Sequence, residues 1–140
     1  MTALPESGKE LIRSGALGHL VTIGGGGAPQ VTCVWVGVDR DDLLTAHLNP
    51  QQRKLENVRR DPRVALSFEG SAVVPPGLRE YLVVYGRATI EEGGAAELLQ
   101  ELAHVHLGPD VRFPPMDDPP PGVRMRITVD RVTGVGPAAG

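Results

Sequence analysis

The chain is poor in residues from which many active sites are built. It has one cysteine, Cys33, so no disulfide can form within it. Of its 14 basic residues only Lys9 and Lys54 are lysines. Aromatic residues make up 4%, too few for large flat side chains to dominate the core. The net charge is −3, which argues against nucleic acid as a partner, because broad binding to a phosphate backbone needs a basic face. No apolar run approaches the ~20 residues of a membrane span, and none near the N-terminus resembles a signal peptide. The expected compartment is therefore the cytoplasm, with no membrane partner. The H-E-x-x-H, Walker and G-x-S-x-G patterns are all missing. His104 and His106 stand two apart on an expected helix and so point to different faces, and no metal site is expected.

Glycine and proline are abundant, at 18 and 13 of 140 residues, and this predicts many tight turns. The length fits one domain over residues 1–140, enough to bury about two-thirds of its unfolded surface. Residues 5–16 predict a short helix with Leu11 and Ile12 as its apolar side. Residues 17–23 and 30–38 read as two strands joined by the glycines at 24–27, a hairpin. These glycines lack the G-x-G-x-x-G spacing, and the run after them is β-branched, so they do not form a dinucleotide loop. Residues 43–48 and 63–68 read as further strands, and 70–77 as a loop. The longest strand candidate is 79–91. It has Leu82, Val84, Ala88 and Ile90 on one face and Tyr81, Val83, Tyr85 and Arg87 on the other. Both faces are partly apolar, so one is expected to meet the core and the other a partner subunit. Residues 94–107 predict the clearest helix, and the prolines in 111–122 an irregular segment. Residues 123–130 alternate, with Val123, Met125, Ile127 and Val129 inward. The core spans about 17–135, and the tail at 136–140 is expected to be frayed and flexible. The fold class is mainly β with peripheral helices: a six-stranded antiparallel barrel.

Residues 49–63, N-P-Q-Q-R-K-L-E-N-V-R-R-D-P-R, organise the rest. Asn49 is a good N-cap and Pro50 suits the first helical position, while Pro62 pushes Asp61 out of helical dihedrals and closes the helix. Arg53 and Lys54 stand close to the positive end of the helix dipole, where cations are disfavoured by roughly 0.3–1 kcal/mol each. Two readings follow: solvated surface charges, or a bound phosphate held by first-turn N–H groups and the two side chains.

The order strand, glycine turn, Pro29-Gln30-Val31-Thr32, a strand bearing Trp35, then Lys54 followed by Asn57, Arg59, Arg60, Asp61, Pro62 and Arg63, resembles a known family. It is similar to the FMN-binding split barrels related to pyridoxamine-phosphate oxidase. More narrowly it resembles their actinobacterial branch, which uses the deazaflavin coenzyme F420. The resemblance runs from Leu17 to Val135. It implies a split-barrel homodimer with a cofactor site at the interface. Lys54 matches the family's phosphate-binding lysine, with Arg53 beside it, and Gln52 stands where several relatives carry an arginine. Gln30, Val31 and Thr32 match the strand along the cofactor ring. Thr45 and Ala46 match the strand end before the phosphate turn. Arg60 and Asp61 are expected to serve the helix end instead.

The function implied is an F420-dependent oxidoreductase that passes a hydride to an activated double bond of a small organic substrate, with no catalytic side chain assigned. The alternatives are an FMN-dependent oxidase or reductase of the same fold, or a non-catalytic carrier of a flavin, deazaflavin or haem. A haem would need an axial ligand, for which His47 is the nearby candidate, although a structural role for that histidine is favoured. Cys33 is expected to be a small core residue. Trp35 is left between stacking on a ring and packing. The proton donor is open among Tyr85, His47 and solvent. The absence of a nucleophile motif fits chemistry carried by a cofactor.

Overall fold

In the computed structural model, which describes residues 3–140, the strands form one antiparallel sheet. In chain order they are β1 (Gly18–Ile23), β2 (Pro29–Val34), β3 (Gly37–Asp39), β4 (Asp42–His47), β5 (Arg63–Val74), β6 (Leu78–Glu92) and β7 (Val123–Val135). The helices are α1 (Glu6–Arg13), α2 (Arg53–Arg60) and α3 (Ala95–His106), and a 3-10 turn, Pro137–Ala139, follows β7. None of these helices is long and apolar enough to cross a membrane.

The strand order is β2-β1-β5-β6-β7-β4-β3. The two outermost strands, β2 and β3, are joined in the chain by Trp35 and Val36 alone. So short a link forces the sheet to curl until its edges meet, although no ladder joins β2 to β3. This is a split barrel. Val36, 2% exposed, enters the core at the link. The sequence reading of six strands is corrected here to seven, because residues 30–38 are two strands and not one. Apolar residues continue through Val34, Trp35 and Val36, so nothing in the local pattern marks the place where the chain leaves one edge for the other.

The barrel interior is filled by alternate residues of each strand. Leu20, Leu43, Leu66, Phe68, Leu82, Val84, Met125 and Ile127 are each at most 1% exposed. Full burial of side chains of this size stabilises by about 1.5–3 kcal/mol each. Leu55 and Val58 of α2 and Ile12 of α1 close onto the same cluster. At the β6–β7 bulge, a Cβ on Gly86 would collide with the Thr128 carbonyl, so the close approach there requires glycine. On the outer surface Arg126 binds Glu91 at 2.7 Å, Asp39 at 3.0 Å and Asp42 at 3.1 Å, tying β7 to β6 and to the β3–β4 turn.

Two further differences from the sequence reading have a common cause. The segment 70–77, read as a loop, is partly strand: after a bulge beyond Glu69, pairing resumes at Val73 with Arg79. Glu80, 8% exposed, turns into that bulge and accepts hydrogen bonds from the backbone N–H of Ala72 at 3.4 Å and of Ala138 at 3.2 Å. The tail, expected to be frayed, is thereby docked, with Ala138 3% exposed. A single buried carboxylate organises both segments, and glycine- and alanine-rich composition carries no sign of it.

Candidate functional site

β2 is an edge strand, paired with β1 on one side only. Gln30, Thr32 and Val34 lie opposite Thr22, Leu20 and Gly18 and share the inward direction, while Val31 and Cys33 turn outward. Beside this free edge runs a groove of about 510 Å³ lined by Thr22, Gln30, Val31, Thr32, Gln52, Arg53 and Lys54. A second cavity of about 270 Å³ adjoins it, sharing Gln52 and Lys54, and is walled by Leu17, Cys33, Val34, Trp35, Ala46, His47, Leu99 and Phe113.

α2 begins at Arg53, not at Pro50. Asn49 does not cap it. Its Oδ1 accepts from the Gln51 N–H at 2.9 Å, making a local turn that spends the side chain before the helix starts. Gln52 occupies the N-cap position without a side-chain cap bond. The correction moves Arg53 and Lys54 into the first two helical positions. Their N–H groups have no acceptor among the described residues, whereas Leu55 and Glu56 both donate to the Gln52 carbonyl. Lys54 is half-buried, and burial pushes its ammonium below the ordinary lysine value, an effect the Cys33 sulfur partly opposes. No carboxylate among the described residues pairs with it. The Thr32 hydroxyl is buried without a hydrogen-bond partner.

The groove floor is held by a polar hub. Asn57, 2% exposed, donates through Nδ2 to Thr22 Oγ1 at 2.9 Å and to Gln30 Oε1, and its Oδ1 accepts from Arg60 at 3.0 Å. Arg60 therefore serves the hub, and Asp61 is held by Arg63 in a two-pronged pair at 3.0 and 2.8 Å that drives its carboxyl down to about 2.

Thr45 and Ala46 part company. Ala46 lines the smaller cavity, but Thr45 is fully buried and reaches the site only through His47. His47 Nδ1 donates to Gln52 Oε1 at 3.1 Å, and its Nε2 accepts from the Thr45 hydroxyl at 2.7 Å. Burial, with the Lys54 charge beside it, lowers its pKa to about 4, against the opposing pull of the Gln52 bond. With both nitrogens engaged and the ring neutral, His47 is structural. It has no free nitrogen for a haem iron or for proton delivery. Tyr85 is not at this groove; it lies on the outer face of β6 beneath the Arg131 guanidinium, 4.3 Å from its ring centroid.

Cys33 contradicts its reading as a core residue: it is exposed and lines the smaller cavity. The core face of β2 carries Gln30, which accepts from Asn57, and Thr32, and both line the groove, so polarity misstates which face is inside. Gln52, which stands where several relatives of the resembled family carry an arginine, lines both cavities. Leu99 and Phe113 had no such signal, since the fold alone brings them here.

An unpaired half-buried ammonium, free first-turn N–H groups and an unsatisfied hydroxyl fit a phosphate-bearing ligand lying along β2. Comparisons with known proteins give the family. Residues 4–136 match the pyridoxamine 5'-phosphate oxidase family model, so the chain belongs to this family of flavin-binding oxidoreductases. Among solved structures, an F420 reductase superposes with a TM-score of 0.74 at 25% identity, covering 93% of this chain and 98% of that one. The conserved hypothetical protein Rv2991 from Mycobacterium tuberculosis gives 0.71 at 24%, covering 94% and 84%. General Stress Protein 26 from Bacillus anthracis gives 0.64 at 20%, covering 93% and 92%, and so shares the fold. No curated protein matches the sequence.

Proposed function

We propose that the protein is an F420-dependent reductase acting on an activated double bond of a small organic substrate, and that it works as a homodimer. The observation that carries the reading is Lys54: half-buried, unpaired, and placed with two free N–H groups at the start of α2 beside the open edge of β2. The likeness to an F420 reductase over nearly the whole of both chains supports the choice of deazaflavin. Lys54 and Arg53 bind the cofactor phosphate. Gln30, Val31 and Thr32 orient the ring along β2, with the Thr32 hydroxyl free to donate to it. The apolar walls of the smaller cavity exclude water. Reduced F420, when bound, supplies a hydride. His47 presents no proton to this groove and Tyr85 of the same subunit does not reach it, which leaves solvent or the closing subunit as the proton source.

FMN is the second reading, favoured by the family's flavin binding, since its phosphate meets the same groups. Titration with F420 and FMN, followed by an acceptor screen with the reduced cofactor, tests both. Saturable F420 binding with acceptor reduction is the expected result. Tight FMN binding without F420 binding would establish the second reading, and binding of either with no acceptor reduced would leave a carrier.

The homodimer rests on the outer face of the sheet, where Val31, Tyr81 and Tyr85 are exposed together with Val83 between the tyrosines. An isologous contact would cover this face and close each groove with the other subunit.

A further inference from the structure

The smaller cavity has an aromatic wall that the cofactor groove does not need. Trp35, the one tryptophan of the chain, is stacked on His106, with centroids 5.1 Å apart and planes 9° from parallel. Phe113 meets Trp35 edge-on at 5.4 Å and 60°. His106 covers one indole face and Phe113 packs at an angle against the ring, and Trp35 still lines the cavity, so part of its surface looks into it. Phe113 comes from the proline-rich segment after α3, which has no strand or helix to fix it. Gln100 of α3 fixes it instead. Its Nε2 donates to the Val111 carbonyl at 2.8 Å and its Oε1 accepts from the Phe113 N–H at 3.1 Å. One side chain therefore clamps two backbone groups on either side of Arg112 and sets where the Phe113 ring stands.

We propose that this cavity is the acceptor subsite, that it takes a flat conjugated ring system of one or two fused rings, and that Gln100 is the positioning residue that shapes it. The inference rests on the reading of the adjoining groove as a redox cofactor site. The reasons are shape and continuity. At about 270 Å³ the cavity lies below the roughly 300–1,000 Å³ of drug-sized ligand sites, a size that suits a small ring system. Aromatic walls favour flat π-systems, which stack or meet edge-on. The cavity opens onto the groove at Gln52 and Lys54, so an occupant lies next to whatever β2 orients.

The single tryptophan supplies a reporter that needs no cofactor and no turnover. Chromone, a planar two-ring enone, is titrated into the cofactor-free protein while the one indole N–H resonance is followed by nuclear magnetic resonance. Saturable movement of that resonance is expected, with cyclohexanone, a puckered ketone, leaving it in place. Gln100→Ala, at a partly exposed site, should fold as the parent does by circular dichroism. Losing two hydrogen bonds to the segment, it should raise the chromone Kd roughly five- to tenfold. Phe113→Ala should raise it at least as much. In the loaded enzyme Gln100→Ala should raise KM for flat acceptors with kcat within about twofold, a split that general destabilisation would not give. An unmoved resonance, equal movement with cyclohexanone, or unchanged Kd in both variants overturns the proposal. If chromone binds as expected but neither F420 nor FMN does, the cavity remains a flat-ring site while the cofactor reading, and with it the acceptor role, is overturned. If a cofactor binds and chromone does not, the reverse holds.

Discussion

At the scale of single residues, an ammonium half-buried at the positive end of a helix pays for its position unless an anion arrives. Lys54→Ala should therefore have two effects of opposite sign. Cofactor Kd should rise about ten- to hundredfold, the value of a charge-assisted hydrogen bond of roughly 1.5–3 kcal/mol. The melting temperature of the cofactor-free protein should hold or rise, since an unfavourable charge is removed. Titration and thermal melts check the pair. Parental affinity in the variant for both F420 and FMN would place the phosphate elsewhere. Arg53→Ala should act in the same direction and more weakly, because Arg53 is exposed. His47 makes a separate prediction. Its folded pKa of about 4 lies below the ordinary 6.5, so the unfolded chain binds the extra proton first as pH falls. Stability contributed by the neutral ring is intact above 6.5 and declines between 6.5 and 4, by up to the order of 3 kcal/mol at 1.36 kcal/mol per pH unit. His47→Gln should flatten that part of a plot of urea midpoint against pH; an unchanged slope would place the acid sensitivity elsewhere. Cys33, exposed in the smaller cavity with Lys54 as its charged neighbour, has no side-chain hydrogen bond to a base among the described residues. Cys33→Ser should leave turnover within a few-fold, read as steady-state kinetics, and a collapse with cofactor binding intact would show that the thiol takes part.

At the scale of elements, α2 does two jobs with opposite faces. Leu55 and Val58 fill the barrel end, and Asn57 holds the groove floor. Asn57→Ala should cost about 1–3 kcal/mol, because Thr22 and Gln30 lose their shared donor, and should also loosen cofactor binding. Denaturant unfolding and titration separate the two effects. α2 also shows what could be read from the sequence and what could not. Its C-terminal stop was legible because Pro62 acts locally on Asp61. Its start was not, because Asn49 can cap a helix or close a turn with equal chemistry, and which it does depends on where β4 delivers the chain. Strand β7 and helix α3 were legible from their periods, which tertiary structure left intact. The division of β2 from β3 was not, since it exists only because the barrel closes. Among the proposed cofactor contacts, Gln30, Val31, Thr32, Arg53 and Lys54 come together along one groove, with Ala46 in the next cavity. Thr45 stands behind His47, a placement set by the parity of β4 against its neighbours. Cys33 was misjudged because burial at an open barrel end follows the ligand surface and not side-chain polarity.

At the scale of the whole molecule, the outer sheet face carrying Val31, Tyr81, Val83 and Tyr85 is expected to make the protein a dimer at micromolar concentration by light scattering, and a monomer there would sink the homodimer reading. Val83→Arg should shift the mass toward the monomer and weaken cofactor binding together, the joint result that the proposed closure of the groove by a second subunit requires. The link between the sheet's two edges has a different consequence, for how the chain can change length. Trp35 faces the smaller cavity and Val36 the core, and the next residue already pairs in β3. One residue added here would exchange inside for outside across the seam, and no neighbouring loop could absorb the shift. The exposed glycines at 25–27 connect strands that are already paired along their length, so residues added there leave both registers as they are. Natural variation in length, and grafted segments, should accumulate at the hairpin and stop at the seam.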